Sequence, residues 1–384
     1  MLLIHRTLED RGYCLPSQDI RTYVEEDRIK AVFSEDRIQT NSLDLTLSDT
    51  CYWIADKLAT QLRANVNIPV EKAIKELDYS KKKKFDISDG LVLKKGHNYL
   101  IPLNESIRLE DDEYAVMSPK SSIGRTFTDV RGFAEGNPCS DIIHPRFMDG
   151  SHKRIWILVS PLKFDVKVEE NLSMNQLRIF KGVGAKTNRR ELENKCDDSP
   201  LVLNEDGERY DNPFFTEDGL IVHLSLESWD GSNKKENLIV EPKEAYILFT
   251  DEVVNVPRDL SGELKPYSLT NVRGPLHFAG FFDNGFRGSG VLEFISEERG
   301  KVALNDQTPI AEFDFYKTRD VPDKIYGDEK SGSNYQGQKG PKMAKFFEPI
   351  DTKGLVALKA KKTPLTLDLT SKHNHDIRNF FQLI

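Results

Sequence analysis

The chain has 384 residues, of which 38% are hydrophobic and 30% are charged, and its net charge is −8 at pH 7. This length suits two domains better than a single core. The acidic balance disfavours a general nucleic-acid or membrane surface, so an anionic ligand would need a local cluster of cations. Four scattered cysteines indicate free thiols in a reducing compartment. The apolar runs are too short for a signal peptide or a membrane span, which predicts a cytoplasmic protein without membrane or nucleic-acid partners.

The first predicted elements are a short helix and a strand. Apolar residues at helical spacing indicate a helix from Ser17 to about Glu26, and residues 38–47 alternate as a strand. Because an aspartate in an alternating strand is more often structural than catalytic, we expect Asp44 to orient neighbouring loops. The four lysines at 81–84 have no glycine loop or helix start beside them and are typical of a solvated loop.

Further strands are predicted at 99–103 and 114–118. They lead to residues 119–125, which read PKSSIGR. Considered alone, Ser121 is typical of a turn and Arg125 of an exposed surface.

A polar, glycine-containing stretch at 182–200 is the best candidate for a linker. Predicted strands at 155–159 and 174–180 come before it and close the first unit. We therefore divide the chain into an N-terminal domain, 1–190, and a C-terminal domain, 191–384.

An internal repeat relates the two halves. Residues 241–248 resemble 95–101, and Pro266 follows Pro119 by the same shift of 147 residues that separates these segments. A constant offset over some twenty residues suggests duplication of one β unit. After its proline the second copy reads YSLTN at 267–271, so it lacks the serine and arginine pattern of the first.

A glycine-rich turn at 277–290 precedes the strand that carries Glu293. The turn holds four glycines and Asp283 in an otherwise apolar setting, which permits close approach of a ligand or another backbone. Period-2 alternation places Glu293 on one face with Val291 and Ile295. Glu293 is then either an edge-strand residue that reaches solvent or a general acid/base whose pKa is raised by an apolar wall. The local sequence leaves both open.

Three segments together resemble the dCTP deaminases of the dUTPase superfamily, most closely their long, two-domain form. Residues 119–125 are similar to the family's Ser-Ser-x-x-Arg signature. The turn 279–288 and the strand residues 291–293, Val-Leu-Glu, have the family's spacing between aspartate and glutamate. Residues 333–341, SNYQGQKGP, resemble its triphosphate-covering segment, although the composition of the longer stretch 322–340 alone favours a disordered connector. The chain departs from the pattern at Asn284, where proline is usual.

The resemblance implies an all-β protein with two tandem dUTPase-like domains, of the β-clip or distorted jelly-roll type, and a few short helices. It implies hydrolytic deamination of dCTP to dUTP and ammonia, which supplies dUTP for thymidylate synthesis, and assembly into a homo-oligomer. In the first copy Leu158 stands where the family has its glutamate. We therefore expect the copies to have specialised, the first keeping the Ser/Arg signature and the second keeping the glutamate.

The resemblance also assigns roles to residues. Glu293 would be the catalytic acid/base, with Ser121 and Arg125 across a domain interface helping to hold the water and the base. The substrate-binding residues would be Ala279, Asp283, Tyr335 and Gln338. Mg²⁺ is expected to accompany the triphosphate, bridging its oxygens rather than being held by protein ligands. Because the chain lacks the His-x-Glu and Pro-Cys-x-x-Cys zinc pattern, a metal-free activation of water by Glu293 is predicted.

Two other functions remain open from the sequence. Hydrolysis of dUTP to dUMP, alone or as a second activity, is suggested because Asp283 stands where dUTPases carry a water-activating aspartate. The chain lacks their glycine-rich C-terminal motif, which argues against it. A catalytically silent, nucleotide-binding regulatory protein is favoured by Leu158, by Asn284 and by Thr40, which also replaces a proline of the family pattern.

Overall fold

The structure is a computed structural model that describes residues 12–31, 34–63, 70, 83–266, 279–296, 300–329, 331, 333–362, 365–371 and 375–384. Strands dominate these ranges, and the helices are few and short. This confirms the predicted all-β class. Within the described ranges no helix has the length and apolarity needed to cross a bilayer.

The first unit forms two sheets and contributes β6 and β12 to a third, small sheet. Its strands are β1 (Tyr13–Cys14), β2 (Ile29–Lys30), β3 (Leu43–Thr46), β4 (Thr50–Ile54), β5 (Lys84–Asp86), β6 (Leu91–Leu93), β7 (Asn98–Ile107), β8 (Glu113–Pro119), β9 (Thr128–Ala134), β10 (Ile142–Ile143), β11 (Lys153–Pro161), β12 (Asp165–Val168) and β13 (Ser173–Lys181). One sheet has the order β1-β13-β8-β10, with β3 also on β13, and the other has the order β5-β4-β7-β11-β9, with β2 also on β7. The strand predicted over 38–47 is shorter than expected because residues 38–43 form a tight turn, in which Ile38 is bridged to Leu43 and the backbone N–H of Gln39 donates to the carbonyl oxygen of Ser42 at 2.8 Å.

The second unit also has two main sheets and, in addition, a separate pair of strands. Its strands are β14 (Val202–Leu203), β15 (Gly219–His223), β16 (Asn237–Val240), β17 (Ala245–Asn255), β18 (Leu260–Pro266), β19 (Phe281–Phe282), β20 (Arg287–Ile295), β21 (Val302–Asn305), β22 (Pro309–Lys317), β23 (Leu358–Ala360), β24 (Thr366–Asp368) and β25 (Phe381–Leu383). The sheets have the orders β14-β17-β23-β25, with β20 on β17, and β15-β22-β18-β19, and β16 pairs with β21.

The described helices are α1 (Ser17–Glu25), α2 (Asp56–Arg63), α3 (Ser121–Gly124), α4 (Arg189–Asp198) and α5 (Ile377–Phe380). Helix α4 lies inside the predicted linker at 182–200. Its first turn is closed by a capping box, in which Asn188 and Glu191 each bond to the other's backbone N–H. The linker is therefore partly helical rather than an open loop.

The internal repeat is visible in the strand pairing. Strand β11 pairs with β7 as β20 pairs with β17, and β8 and β18 end at the two prolines of the repeat. Even a local bond recurs, because the hydroxyls of Tyr99 and Tyr246 each accept from a backbone N–H five residues earlier, at Lys94 and Glu241.

The two units share a hydrophobic core. Its largest cluster joins strands of the first unit to one face of β17 and β20 and to the C-terminal segment. That segment returns to the first unit, where β24 pairs in parallel with β12 and Phe380 lies 5.2 Å from Phe164, centroid to centroid. The division of domains at residue 190 stays a prediction.

Candidate active site

A cavity at the junction of the two units contains all seven residues that the resemblance singled out. They are Ser121, Arg125, Ala279, Asp283, Glu293, Tyr335 and Gln338. Two come from the first unit and five from the second, although more than 150 positions separate the serine from the aspartate. Three carboxylates and three cationic side chains line the cavity: Asp44, Asp283, Glu293, Lys120, Arg125 and Lys345.

Glu293 projects from β20 into this junction. Val291 and Ile295 belong to the core shared by the two units, whereas Leu292 and Phe294 belong to the core of the second unit. The predicted alternation is therefore confirmed, and the face with Glu293 is turned toward the first unit. Glu293 is 2% exposed, so the alternative in which it reaches solvent is wrong. The burial of Glu293 comes from tertiary packing, because the first unit covers this face of β20.

Asp283 lies next to a fully buried arginine. Arg178 on β13 donates hydrogen bonds to the carbonyl oxygens of Gly262 and Phe282, both at 2.9 Å, and its guanidinium lies 3.4 Å from Asp283 Oδ1. Burial raises the pKa of Asp283, and the charge of Arg178 opposes that shift. The sequence analysis missed Arg178, although an arginine within the predicted strand 174–180 was a usable signal.

Arg125 is buried rather than exposed at the surface. It follows α3, is 4% exposed, and donates to Gln338 Oε1 at 3.1 Å and to the carbonyl oxygen of Lys342 at 2.9 Å. Its guanidinium carbon lies 3.8 Å from the ring centroid of Tyr335. Ser121 begins α3 and lines the cavity. Its neighbour Ser122, not Ser121, contacts the hydroxyl of Tyr335, at 2.5 Å.

The segment 333–341, hereafter the lid segment, is folded onto the strand that carries Glu293. Gln338 donates its side-chain N–H to the carbonyl oxygen of Ser289 at 2.5 Å, and its own carbonyl accepts from the backbone N–H of Ser289 at 3.0 Å. Gly288 permits this approach, since a Cβ there would lie 3.0 Å from Gln338. These contacts show an ordered segment here, in contrast to the disordered connector that the composition favours.

The first unit also supplies a polar wall. Asp44 forms an ion pair with Lys120 and accepts from the side-chain amide of Gln39 at 3.2 Å. The expectation that Asp44 orients its neighbours agrees with these contacts, but the residue lines the cavity as well. Sequence reasoning missed Gln39 and Lys120 as wall residues, although Lys120 directly precedes the serine pair. Other cavity residues that it missed are Gln176, Phe286, Tyr326 and Lys345.

Asn284 replaces the proline of the family turn and makes contacts that proline could not make. Its side-chain amide donates to the carbonyl oxygen of Arg258 at 3.0 Å and to Thr318 Oγ1 at 3.2 Å, and it accepts from Asn41 at 2.5 Å. The last of these bonds joins the two units. Hydrogen bonds therefore fix the turn where proline would fix it by its ring.

The corresponding place in the first unit is filled by apolar side chains. Leu158 is opposite Leu100 in β11 and β7, just as Glu293 is opposite Ile247 in β20 and β17. Leu158 is fully buried beneath α2, in a cluster with Leu58 and other apolar residues. The replacement inferred from sequence therefore has a structural counterpart. The second copy's YSLTN at 267–271 lies outside the described residues.

Sequence comparisons assign the chain to a class. The dCTP deaminase-like family matches residues 14–182. The C-terminal domain of 2′-deoxycytidine 5′-triphosphate deaminase matches residues 211–347. These matches and the tandem β units define a protein of the dUTPase-like superfamily. Within that class, the chain belongs to the dCTP deaminase family.

Individual relatives match over a shorter length. The chain is 32% identical over 115 residues to a dUMP-forming dCTP deaminase of Nocardioides, and 35% identical over 113 residues to one of Halobacterium salinarum. Each match covers 29% of this chain and 60% or 57% of the relative. The crystal structure of 2′-deoxycytidine 5′-triphosphate deaminase from Agrobacterium tumefaciens is similar in fold, with a TM-score of 0.71 and 24% identity. That match covers 81% of this chain and 97% of the other.

Proposed function

We propose that this chain deaminates dCTP by hydrolysis at C4 of the cytosine ring, giving dUTP and ammonia. The observation that carries the proposal is the buried Glu293, which lies in one cavity with Ser121 and Arg125 of the other unit. The family relation supports the reaction class, since the Nocardioides and Halobacterium relatives carry the name of dCTP deaminases.

In the proposed mechanism Glu293 carries the protons. Its carboxylate takes a proton from a water molecule as the water oxygen attacks C4, and it delivers that proton to N3. A second transfer from the added hydroxyl, through Glu293, protonates the amine. The C4–N bond then breaks, ammonia leaves, and the C4 carbonyl of uracil forms. One carboxylate can serve each step because the water, N3 and the amine lie around the same ring atom.

The remaining residues would hold the substrate. Ser121 and Arg125 would position the water and base, and the backbone of Ala279 would line the base pocket. Tyr335 and Gln338 would cover the triphosphate, whose negative charge would be matched by cations of the cavity. Asp44 and Asp283 each already lie against a cation, which favours Mg²⁺ carried on the phosphate oxygens over Mg²⁺ held by these carboxylates.

Ammonia release from dCTP tests this function. Purified wild type with Mg²⁺ and a zinc chelator is expected to release ammonia, and Glu293→Gln is expected to lose at least about a thousandfold in rate, because the amide cannot accept or donate the transferred protons. Arg125→Lys keeps a charge but not the two-pronged hydrogen bonding, and we expect a smaller loss. Arg189→Met, on exposed α4, is the matched control. Unchanged rates in both site variants would overturn the shared site.

A bifunctional reaction that continues to dUMP is the second candidate. It is favoured by the dUMP-forming names of the relatives and by Asp283, which lines the same cavity. Pyrophosphate measured in the same reaction separates the two: deamination alone gives ammonia only, and the bifunctional reaction gives equal amounts of both. Nucleotide binding without either product would identify the silent binding protein. The thymidylate supply, the homo-oligomer and the cytoplasmic location stay predictions.

A further inference from the structure

We infer that Trp229, outside the cavity, is a positioning residue that fixes the exit of the lid segment. The inference rests on the proposed function for its catalytic consequence, but its structural part can be tested without turnover. Trp229 lies in the loop between β15 and β16, and no part of it lines the cavity. Its contacts lead to Gln338 through two residues of the lid segment.

The lid segment enters the site and leaves it within a few residues. Gly337 donates its backbone N–H to the carbonyl oxygen of Arg287 at 2.7 Å, which ties the lid segment to the start of β20. The next residue, Gln338, is 3% exposed, and its side-chain oxygen accepts a hydrogen bond from Arg125 at 3.1 Å. After Gln338 the chain must turn away from the cavity. The direction of that turn determines where the Gln338 side chain is placed.

Gly340 makes this turn against the indole of Trp229. Its φ of +65° lies in the left-handed region that glycine adopts without strain. A Cβ at Gly340 would lie only 2.8 Å from Trp229 Cδ1, so the ring is in direct contact with the backbone. Lys339 lies 5.3 Å from the ring centroid and Lys353 lies 5.9 Å from it, within range of cation–π attraction.

The loop that carries Trp229 is itself well anchored. Asp230 accepts from the hydroxyls of Ser228 and Ser232 at 2.8 and 2.7 Å and from the backbone N–H of Gly354 at 3.2 Å. Asn233 donates its side-chain amide to the carbonyl oxygen of Gly354 at 3.0 Å. These hydrogen bonds fix the loop on both sides of Trp229 in the sequence. The indole therefore has a defined position against which Gly340 packs.

Loss of the indole should release the lid segment without altering the groups that react. A lid segment that is closed for a smaller fraction of the time weakens apparent substrate affinity by that fraction, whereas the closed state keeps the same chemistry. We therefore expect Trp229→Leu to raise KM for dCTP about tenfold while kcat stays within about twofold of wild type. Trp229→Phe keeps a ring face and should restore most of the affinity. Trp53→Phe, which changes an exposed tryptophan of the first unit, is the matched control.

Hydrogen exchange of the nucleotide-free protein tests the structural part. Trp229→Leu should speed exchange in peptides covering 336–341, and Gly340→Ala should do the same from the other side of the contact, while the core strands β7 and β11 exchange as in wild type. Unchanged exchange in 336–341 would overturn the inference whatever the enzyme does. Faster exchange with kcat and KM unchanged would overturn the catalytic part. If wild type releases no ammonia, the proposed function is contradicted. The hydrogen-exchange result still tests whether Trp229 fixes the lid segment.

Discussion

Arg178 joins the two units through a single side chain. It belongs to β13 of the first unit, it is fully buried, and its bonds go to Gly262, Phe282 and Asp283 of the second unit. Its guanidinium carbon also lies 4.1 Å from the ring centroid of Phe281. The planar fork of arginine can satisfy two carbonyls and a carboxylate at once, which a lysine could not do with the same geometry.

Replacing Arg178 by Met should therefore destabilise the protein. The change leaves the partly buried Asp283 carboxylate without its cation and two carbonyls without donors, and we expect a loss of about 3 kcal/mol in the free energy of unfolding. Urea unfolding at neutral pH measures it. Arg189→Met removes an exposed ion pair with Glu193 and should cost no more than about 0.5 kcal/mol. Equal effects of the two substitutions would contradict this account.

At the scale of elements, an irregularity in β17 brings Glu252 into contact with His223. The register of β17 against β20 shifts between Phe249 and Val253, as at a β-bulge. Within this interval Glu252 is 2% exposed and reaches the end of β15. It accepts the backbone N–H of His223 at 2.9 Å and contacts the imidazole Nδ1 at 2.6 Å. The hydrogen bond to Glu252 raises the pKa of His223 above its ordinary 6.5.

This contact predicts a pH-dependent stability. A raised histidine pKa contributes stability that is fully present below the ordinary pKa and is lost as the pH rises through the raised value. The free energy of unfolding of wild type should therefore exceed that of His223→Gln most at pH 6, and the difference should shrink toward pH 9. Urea unfolding of both proteins across this range is the measurement, with His97→Gln as the control for an exposed imidazole. A difference independent of pH would exclude the charged pair.

At the scale of the whole molecule, equivalent strand faces of the two similar units have different surroundings. The face of β20 with Val291 and Glu293 opens on the cavity, whereas the matching face of β11 with Trp156 and Leu158 is covered by α2. Helix α2 thus occupies, in the first unit, the place where the second unit has its cavity. Of these two equivalent faces, only that of β20 opens on the described cavity.

One nucleotide should therefore bind per chain. Calorimetric titration of Glu293→Gln with dCTP and Mg²⁺, which avoids turnover, is expected to give a stoichiometry of one, because the described side chains clustered with Leu158 are mainly aliphatic and aromatic and do not suit a charged phosphate. Leu158→Ala enlarges that region without adding a carboxylate and should leave the stoichiometry unchanged. Two nucleotides bound per wild-type chain would refute this reading of the first unit.

Much of the candidate site could be predicted because its chemistry lies in short local motifs. The seven residues assigned from 119–125, 279–293 and 333–341 all reached one cavity, which the order of the motifs made reasonable but could not demonstrate. The partners of Arg178 and Trp229 could not be found in this way, even though the arginine itself stands out in a predicted strand. Each acts through contacts with residues more than 80 positions away, and no local pattern encodes such a partner.

The sequence by itself determined the β class, the repeat, the alternation around Glu293 and the family. These follow from period-2 patterns, a constant offset and motifs that operate over a few residues. Only the tertiary structure decided that Glu293 is buried, that Arg125 is not a surface residue, that the linker contains α4, and that the C-terminal segment packs on the first unit. Burial and electrostatic environment depend on which distant surfaces come together, and that is a property of the packed chain rather than of any one stretch.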